Sequence, residues 1–264
     1  MKNQAAVFFR IFLYGILIAP LVLFVLYAFS ERWFFPALLP TSWTTNIVTR
    51  MLNDSRTTSG LFISIGIAML VSFLSLVIGF PAARTLGSRV FRGRQIAWLI
   101  FFLPTVVPPL AVGMGLNILF LRLGWTGTLF GVILAHLVPT LPYTIFTLSG
   151  VFSRYDENYE HQALVLGSSR LRIFFTVTLR LVFPGLVVAA LFAFLISWSQ
   201  YLLTLLIGGG KILTLPMLLF SAVSGGNPTS IAALSLLFVT PPVIIIAASA
   251  RFLVQHGKTI REQY

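Results

Sequence analysis

The side chains with chemical capacity in this chain recur at helical spacing inside apolar sequence. His136, Thr140, Tyr143, Thr144 and Thr147 form one set, and Ser197, Gln200, Tyr201, Thr204 and Gly208 form a second. A weaker third set is Thr105, Pro109, Gly113 and Asn117. Hydroxyls, amides and an imidazole surrounded by hydrocarbon seek either partners on other helices or a wet cavity. The stripes therefore read in two ways, as the lining of a solute pathway or as polar contacts between helices. His136 is the only ionisable residue deep in an apolar run. A functional role and a neutral, hydrogen-bonded ring are both open for it. All six acids, Glu31, Asp54, Asp156, Glu157, Glu160 and Glu262, fall outside the apolar runs. That argues against a carrier driven by protons or sodium, which usually holds a carboxylate at membrane depth. There is no cysteine, so disulfides and thiolate metal sites are excluded, and no metal site is expected. Gly257-Lys258-Thr259 ends like a phosphate-cradling G-x-x-x-x-G-K-T loop, but Phe252 stands where its first glycine is needed. ATP hydrolysis, if it drives this protein, belongs to another chain.

The elements that carry these residues are those of a membrane protein. Of 264 residues, 58% are hydrophobic and 9% charged, so lipid must be the solvent for much of the surface. Six windows are long and apolar enough to span: 8–29, 60–80, 96–120, 128–150, 183–207 and 231–254. The net charge of +12 sits in short segments between them, as the positive-inside rule expects, rather than in a nucleic-acid-binding surface. Arg84, Arg89, Arg92 and Arg94 mark the 81–95 connection as cytoplasmic. Alternation then places both termini and residues 151–182 on that side. Lys2 and Ala28-Phe29-Ser30 imitate a cleaved signal peptide, but the apolar stretch from Ile11 to Phe29 exceeds the usual core of about 7–15 residues, so a retained helix is expected. Residues 30–59, with Trp33, Phe34, Phe35, Pro36 and Trp43, read as an interfacial loop, and 212–230 as a short re-entrant or interfacial piece. Pro104, Pro108, Pro109, Pro139, Pro142, Pro241 and Pro242 fall within expected spans, where each removes a backbone donor and favours a kink.

One polar stretch stands apart, Tyr159 to Arg180, "YEHQALVLGSSRLRIFFTVTLR". Residues 155–166 read as a short helix with Tyr159, Ala163 and Leu166 on one face. Gly167 permits a sharp turn, and Ser168 or Ser169 can cap a second short helix running through Thr176. Arg170 and Arg172 give that helix a basic start which its dipole does not favour, a hint of a partner surface.

The pattern Glu160-x-x-Ala163-x-x-x-Gly167, followed by Val177-Thr178-Leu179 and Pro184-Gly185, resembles the "EAA" loop of permease subunits of binding-protein-dependent ABC importers. The likeness extends to "LPTVVPPLAVGMGL" at 103–116, "SWSQYLLTLLIGGG" at 197–210 and "TLPMLLF" at 214–220. The chain departs from the pattern at His161-Gln162, where the family usually has Glu-Ala, and at Arg180, commonly a proline. The resemblance implies an all-α integral membrane protein of the type I importer fold, with six transmembrane helices and both termini cytoplasmic. A single permease domain would have its core at about 60–255 and its coupling loop at 151–182. Glu160, Ala163, Leu164, Gly167 and Ser168 would contact an ATPase subunit, which alone binds ATP and Mg. A second, different permease chain and an extracytoplasmic binding protein would complete the assembly in the bacterial cytoplasmic membrane. The solute would be small and polar, polyamine-like by resemblance, although Ser199 and Gln200 stand where polyamine permeases commonly carry acids. Tyr143, Trp198 and Tyr201 offer cation–π contacts instead. A stand-alone secondary transporter or channel, and a scaffold that only binds a cytoplasmic protein through the loop, are the alternatives.

Overall fold

A computed structural model describes residues 2–33, 37 and 39–261 of the chain. Phe34, Phe35, Pro36 and Glu262 lie outside the described residues. The described chain is helical but for one small hairpin. Its elements are α1 Lys2–Ala28, β1 Ser30–Arg32, β2 Ser42–Trp43, α2 Asn46–Asn53, α3 Ser55–Ser88, α4 Arg94–Val106 and α5 Pro109–Arg122. They continue with α6 Leu129–Phe152, α7 Asn158–Val165, α8 Arg170–Ile173, a π-helical segment Phe174–Thr178 and α9 Leu179–Trp198. The last are α10 Leu202–Gly208, α11 Leu215–Gly225 and α12 Pro228–Arg261. Four helices are long and apolar enough to cross a membrane: Ser55–Ser88, Leu129–Phe152, Arg170–Trp198 and Pro228–Val254. The α4–α5 pair makes a fifth if counted as one span, and Phe12–Ala28 is a shorter apolar helix.

The chain divides into two compact units, Met1–Phe62 with Leu213–Pro242, and Ile63–Ile212 with Val243–Tyr264. In the first, the expected interfacial loop contains structure that its composition did not announce. β1 and β2 pair antiparallel with Ser30 opposite Trp43, and α2 follows directly. Tyr27 and Trp33 pack as tilted rings with centroids 4.3 Å apart, and Ile47, Val48 and Met51 of α2 pack on Ala28, Ala232 and Ala233. Asp54 then starts α3, accepting from the Thr57 amide at 3.0 Å and its hydroxyl at 2.8 Å. These bonds hold the Asp54 carboxyl below the usual carboxylate range. Residues 212–230 form α11, an 11-residue helix too short to span.

In the second unit α6 is the central helix, 56% of its apolar window being buried inside the protein. One apolar cluster joins Ile67 and Val71 of α3, Phe120 of α5, Val132 and Ile133 of α6, and Leu203 and Ile207 of α10. A second joins Ala83 and Leu86 of α3, Ile145, Leu148 and Phe152 of α6, and Val182 and Ala189 of α9. Lipid is as apolar as these side chains, so close backbone approach has to hold the helices together. Gly185 of α9 lies against Val151 so tightly that a Cβ there would overlap it.

Two expected spans are broken. The 96–120 window divides at Val107–Pro108, and α4 and α5 meet at a bend of 98°. Pro108 has no N–H and forces Val107 into extended backbone (ψ 136°), while Pro109 starts the next helix with its φ preset. The other prolines expected to kink spans, Pro104, Pro139, Pro142, Pro241 and Pro242, sit inside unbroken helices. The 183–207 window divides at Ser199–Tyr201, where there is neither proline nor glycine. The second helix of the polar stretch, expected to end near Thr176, instead runs on through the π segment into α9, giving a 29-residue rod from Arg170 to Trp198.

Gly185→Leu should abolish the monodisperse peak of the solubilised protein in fluorescence-detected size exclusion. Gly150→Ala should leave the peak unchanged, because a Cβ at Gly150 meets nothing within 4 Å.

Candidate functional site: the loop hairpin and the buried polar seam

The hairpin α7–α8 is built by local rules. The Asn158 amide donates to Asp156 Oδ1 at 3.0 Å and starts α7. At its other end Gly167 takes φ +82°, its amide donates to Leu164 O at 2.9 Å, and the Ser168 amide donates to Ala163 O at 3.0 Å. This is the Schellman arrangement, which satisfies the last carbonyls and needs the left-handed conformation that glycine adopts freely. Ser169 caps α8, its hydroxyl accepting from the Arg172 amide at 3.4 Å. Of the expected contact residues, Ala163, Leu164, Gly167 and Ser168 therefore build this turn.

Glu160 does something else. It does not present its carboxylate outward: the side chain is 16% exposed and turned into the chain. Oε2 accepts from Arg84 Nη2 at 2.7 Å, and Oε1 accepts from the Tyr155 hydroxyl at 2.8 Å and the Thr178 hydroxyl at 2.7 Å. One carboxylate thus ties the end of α3, the turn after α6 and the π segment to α7. Burial alone would raise the Glu160 pKa, but the hydrogen bonds from Thr178, Tyr155 and Arg84 outweigh it and hold the carboxyl below its ordinary value. Burial pushes the Tyr155 hydroxyl up to about 12, so it remains a donor. Behind the hub lies a cleft of ≈ 380 Å³ lined in part by Arg84, His161, Leu164 and Arg170.

With Glu160 facing inward, the hairpin exposes large apolar side chains alongside the exposed Gln162, Arg170 and Arg172. Val165 is 87% exposed and Leu166 85%, and Leu171 and Phe175 are exposed beside them. Of these only Leu166 is legible from helical spacing. The run Leu164-Val165-Leu166 before a turn glycine, outside any span, is the signal for Val165. Arg84 and Thr178 carry no such signal.

The polar stripes meet in a buried seam. His136, Thr140 and Thr144 on α6, Ser197 on α9 and Thr204 on α10 are all buried. His136 Nδ1 lies 2.9 Å from Ser197 Oγ and Nε2 lies 2.9 Å from Thr204 Oγ1. Thr204 Oγ1 donates its one proton to Gln200 O at 2.8 Å, so it accepts from His136 Nε2–H, and Nδ1 accepts from Ser197. Thr140 donates back to His136 O and lies 2.8 Å from Ser75 Oγ of α3. Asn117 Nδ2 donates to Leu206 O, joining α5 to α10. His136, Thr140, Ser197, Thr204 and Asn117 thus bond one helix to another, while Thr144 donates to Thr140 O within α6 at 3.1 Å. Tyr143 is exposed, while Gln200 and Tyr201 are half-buried at the break between α9 and α10. Trp198 is buried and stacked on Phe194, centroids 5.8 Å apart, which takes its face out of reach of a solute.

Residues 75–256 match the family of binding-protein-dependent transport system inner membrane components. The chain belongs to that family. It is therefore a multi-pass inner-membrane protein of the ABC importer permease class. It is 28% identical over 230 residues to the putrescine transport system permease protein PotI of Escherichia coli, covering 84% of this chain and 81% of that one. It is 27% identical over 259 residues to the putative 2-aminoethylphosphonate transport system permease protein PhnV of Salmonella typhimurium, covering 96% and 94%. In fold it is similar to a chain of a bacterial ABC transporter involved in import of the acidic polysaccharide alginate, with TM-score 0.75, 19% identity and 95% of each chain covered. It is also similar to a chain of the MetNI methionine ABC transporter, with TM-score 0.60, 17% identity, and 74% and 94% covered.

Removing the carboxylate leaves Arg84, Tyr155 and Thr178 without their shared acceptor. Glu160→Ala should destabilise the hairpin by about 1–3 kcal/mol. Hydrogen exchange of the 155–180 amides should rise accordingly. A lowered carboxyl pKa stabilises above the ordinary carboxylate range and is lost as pH falls through the folded value. Wild-type exchange protection, corrected for intrinsic rates, should therefore stay flat from about pH 5 to 8 and fall only on further acidification.

Proposed function

We propose that this chain pairs with a second permease chain to form the pathway for a small polar solute, and that its hairpin α7–α8 is the contact through which ATPase subunits drive it. The carrying observation is the exposed pair Val165 and Leu166 on a turn made rigid by Gly167 and the Glu160 hub. Two large apolar side chains at the tip of a polar loop are costly in water and gain by insertion into a partner's groove. In this reading Glu160 positions the hairpin, and Val165, Leu166 and Leu171 make the contact with the flanking Ala163, Leu164, Gly167 and Ser168. ATP and Mg are bound by the ATPase subunits, and this chain catalyses no reaction. An extracytoplasmic binding protein delivers the solute. The alginate transporter, similar in fold, is known in complex with a pentasaccharide-bound periplasmic protein.

The solute we propose is a small polar, amine-bearing molecule, in keeping with relatives named for putrescine and 2-aminoethylphosphonate. Tyr143, Gln200 and Tyr201 are the pathway residues best placed to meet it. His136, Thr140, Thr144, Ser197, Thr204 and Asn117 stand behind them. A cation over the Tyr143 ring gains about 0.5–2 kcal/mol.

The experiment is a mild-detergent pull-down of the tagged chain, with uptake measured in the same cells. Leu166→Asp and Gly167→Asp should lose the co-purifying ATPase and cut uptake at least tenfold, with unchanged amounts of permease in the membrane. If both variants keep the ATPase and transport normally, the docking assignment is wrong. ATP-independent uptake by the chain alone in liposomes would install the stand-alone carrier in its place.

A further inference from the structure

We infer that His136 is the latch of a hinge, and that the break between α9 and α10 is a switchable joint rather than a fixed feature of the fold. The inference rests on the chain's being a transport permease whose hairpin receives the ATPase stroke.

Nothing local makes this break permanent. Ser199, Gln200 and Tyr201 include no proline or glycine, and Tyr201 already has right-handed helical backbone angles (φ -89°, ψ -53°). Locally Ser199 competes with the helix, its hydroxyl donating to Ile196 O at 3.1 Å. The element that specifies the break is His136, sixty residues away. Its ring binds Ser197 on the last turn of α9 with one nitrogen and Thr204 in α10 with the other, each at 2.9 Å. The two nitrogens flank a single ring carbon, so the two hydroxyl oxygens are held within about 8 Å of each other. In an uninterrupted helix residues seven apart are separated by about 10.5 Å along the axis, at 1.5 Å per residue. One imidazole spans that distance only with both hydroxyls turned toward each other and both hydrogen bonds at full stretch. The doubly bonded latch therefore favours the break over a straight α9–α10 helix, the two arrangements between which the segment would switch.

The rod Arg170–Trp198 begins in the hairpin and ends one residue past Ser197. A displacement of the hairpin is delivered about 40 Å away at the latch, given the rise of a 29-residue helix. Straightening or further bending at Ser199–Tyr201 would move Gln200 and Tyr201, the half-buried polar residues at the joint. His136 is on this account a positioning residue: it meets no solute and sets the state of the segment that does.

The chain has no cysteine, so Ser199→Cys places a single reporter at the joint. The assembled transporter carrying Ser199→Cys would be labelled with a water-soluble maleimide, with and without ATP. His136→Leu should change the labelling rate at least threefold and remove its dependence on ATP. Uptake should fall at least tenfold while the ATPase still co-purifies and hydrolyses ATP. His136→Asn keeps a polar group near the Nδ1 position for Ser197, and His136→Gln keeps one near Nε2 for Thr204, so each should give an intermediate rate. If His136→Leu does not accumulate in the membrane, Ser197→Ala and Thr204→Val open the latch with the ring in place. Unchanged labelling and uptake in those two, or in His136→Leu, overturns the latch. Loss of the co-purifying ATPase would be a failure of the docking assignment instead, which the hairpin variants test separately.

Discussion

Hydrocarbon offers no hydrogen-bond partner, so each polar group that this chain carries into its apolar helices must be satisfied by another part of the chain. That constraint organises the second unit. Ser72 reaches Ala190 O at 2.9 Å, Ser149 reaches Ala83 O at 3.3 Å, and Ser75, Thr140, His136, Ser197 and Thr204 form a seam from α3 through α6 to α9 and α10. Burial of apolar surface drives little of this packing, because lipid would serve the same side chains. Small residues and paired hydroxyls supply the specificity. α6, which carries His136 and three buried threonine and serine positions, is consequently the helix around which the others are arranged.

The same logic operates within the loop with a charge in place of a hydroxyl. A half-buried carboxylate is tolerable at Glu160 because three donors converge on it, one of them a guanidinium. The result is a hairpin whose internal geometry is fixed before any partner arrives. Its connection to the core is equally direct, since α8, the π segment and α9 form one uninterrupted rod. A displacement of the hairpin is therefore carried by continuous helix as far as Trp198.

Much of this was legible from residues near one another in sequence. The Gly167 turn, the serine cap after it and the break at Pro108–Pro109 follow from local backbone chemistry, and the family follows from the spacing of Glu160, Ala163 and Gly167. What escaped reading depends on distant partners. The direction of Glu160 is decided by Arg84 and Thr178, and the break after Trp198 by His136. The hairpin at Ser30–Trp43 is a pairing of two very short strands with no alternating pattern to reveal them. Helical periodicity placed the polar stripes on common faces, but a face lining water and a face touching another helix have the same composition. The pairing of His136 with Ser197 and Thr204 depends on residues 61 and 68 positions away, which no periodicity registers.

The π segment Phe174–Thr178 has a consequence for how such a chain can vary. A turn that holds one residue more than an α-helical turn sets the angular phase between whatever lies before it and whatever lies after it, at about 100° per residue. Exchanging one side chain for another there leaves that phase alone. Adding or deleting a single residue would leave both flanking helices well formed while swinging the hairpin to a new compass bearing around the rod. The length of this stretch, apart from the bond that Thr178 makes to Glu160, is thus what fixes the hairpin's bearing.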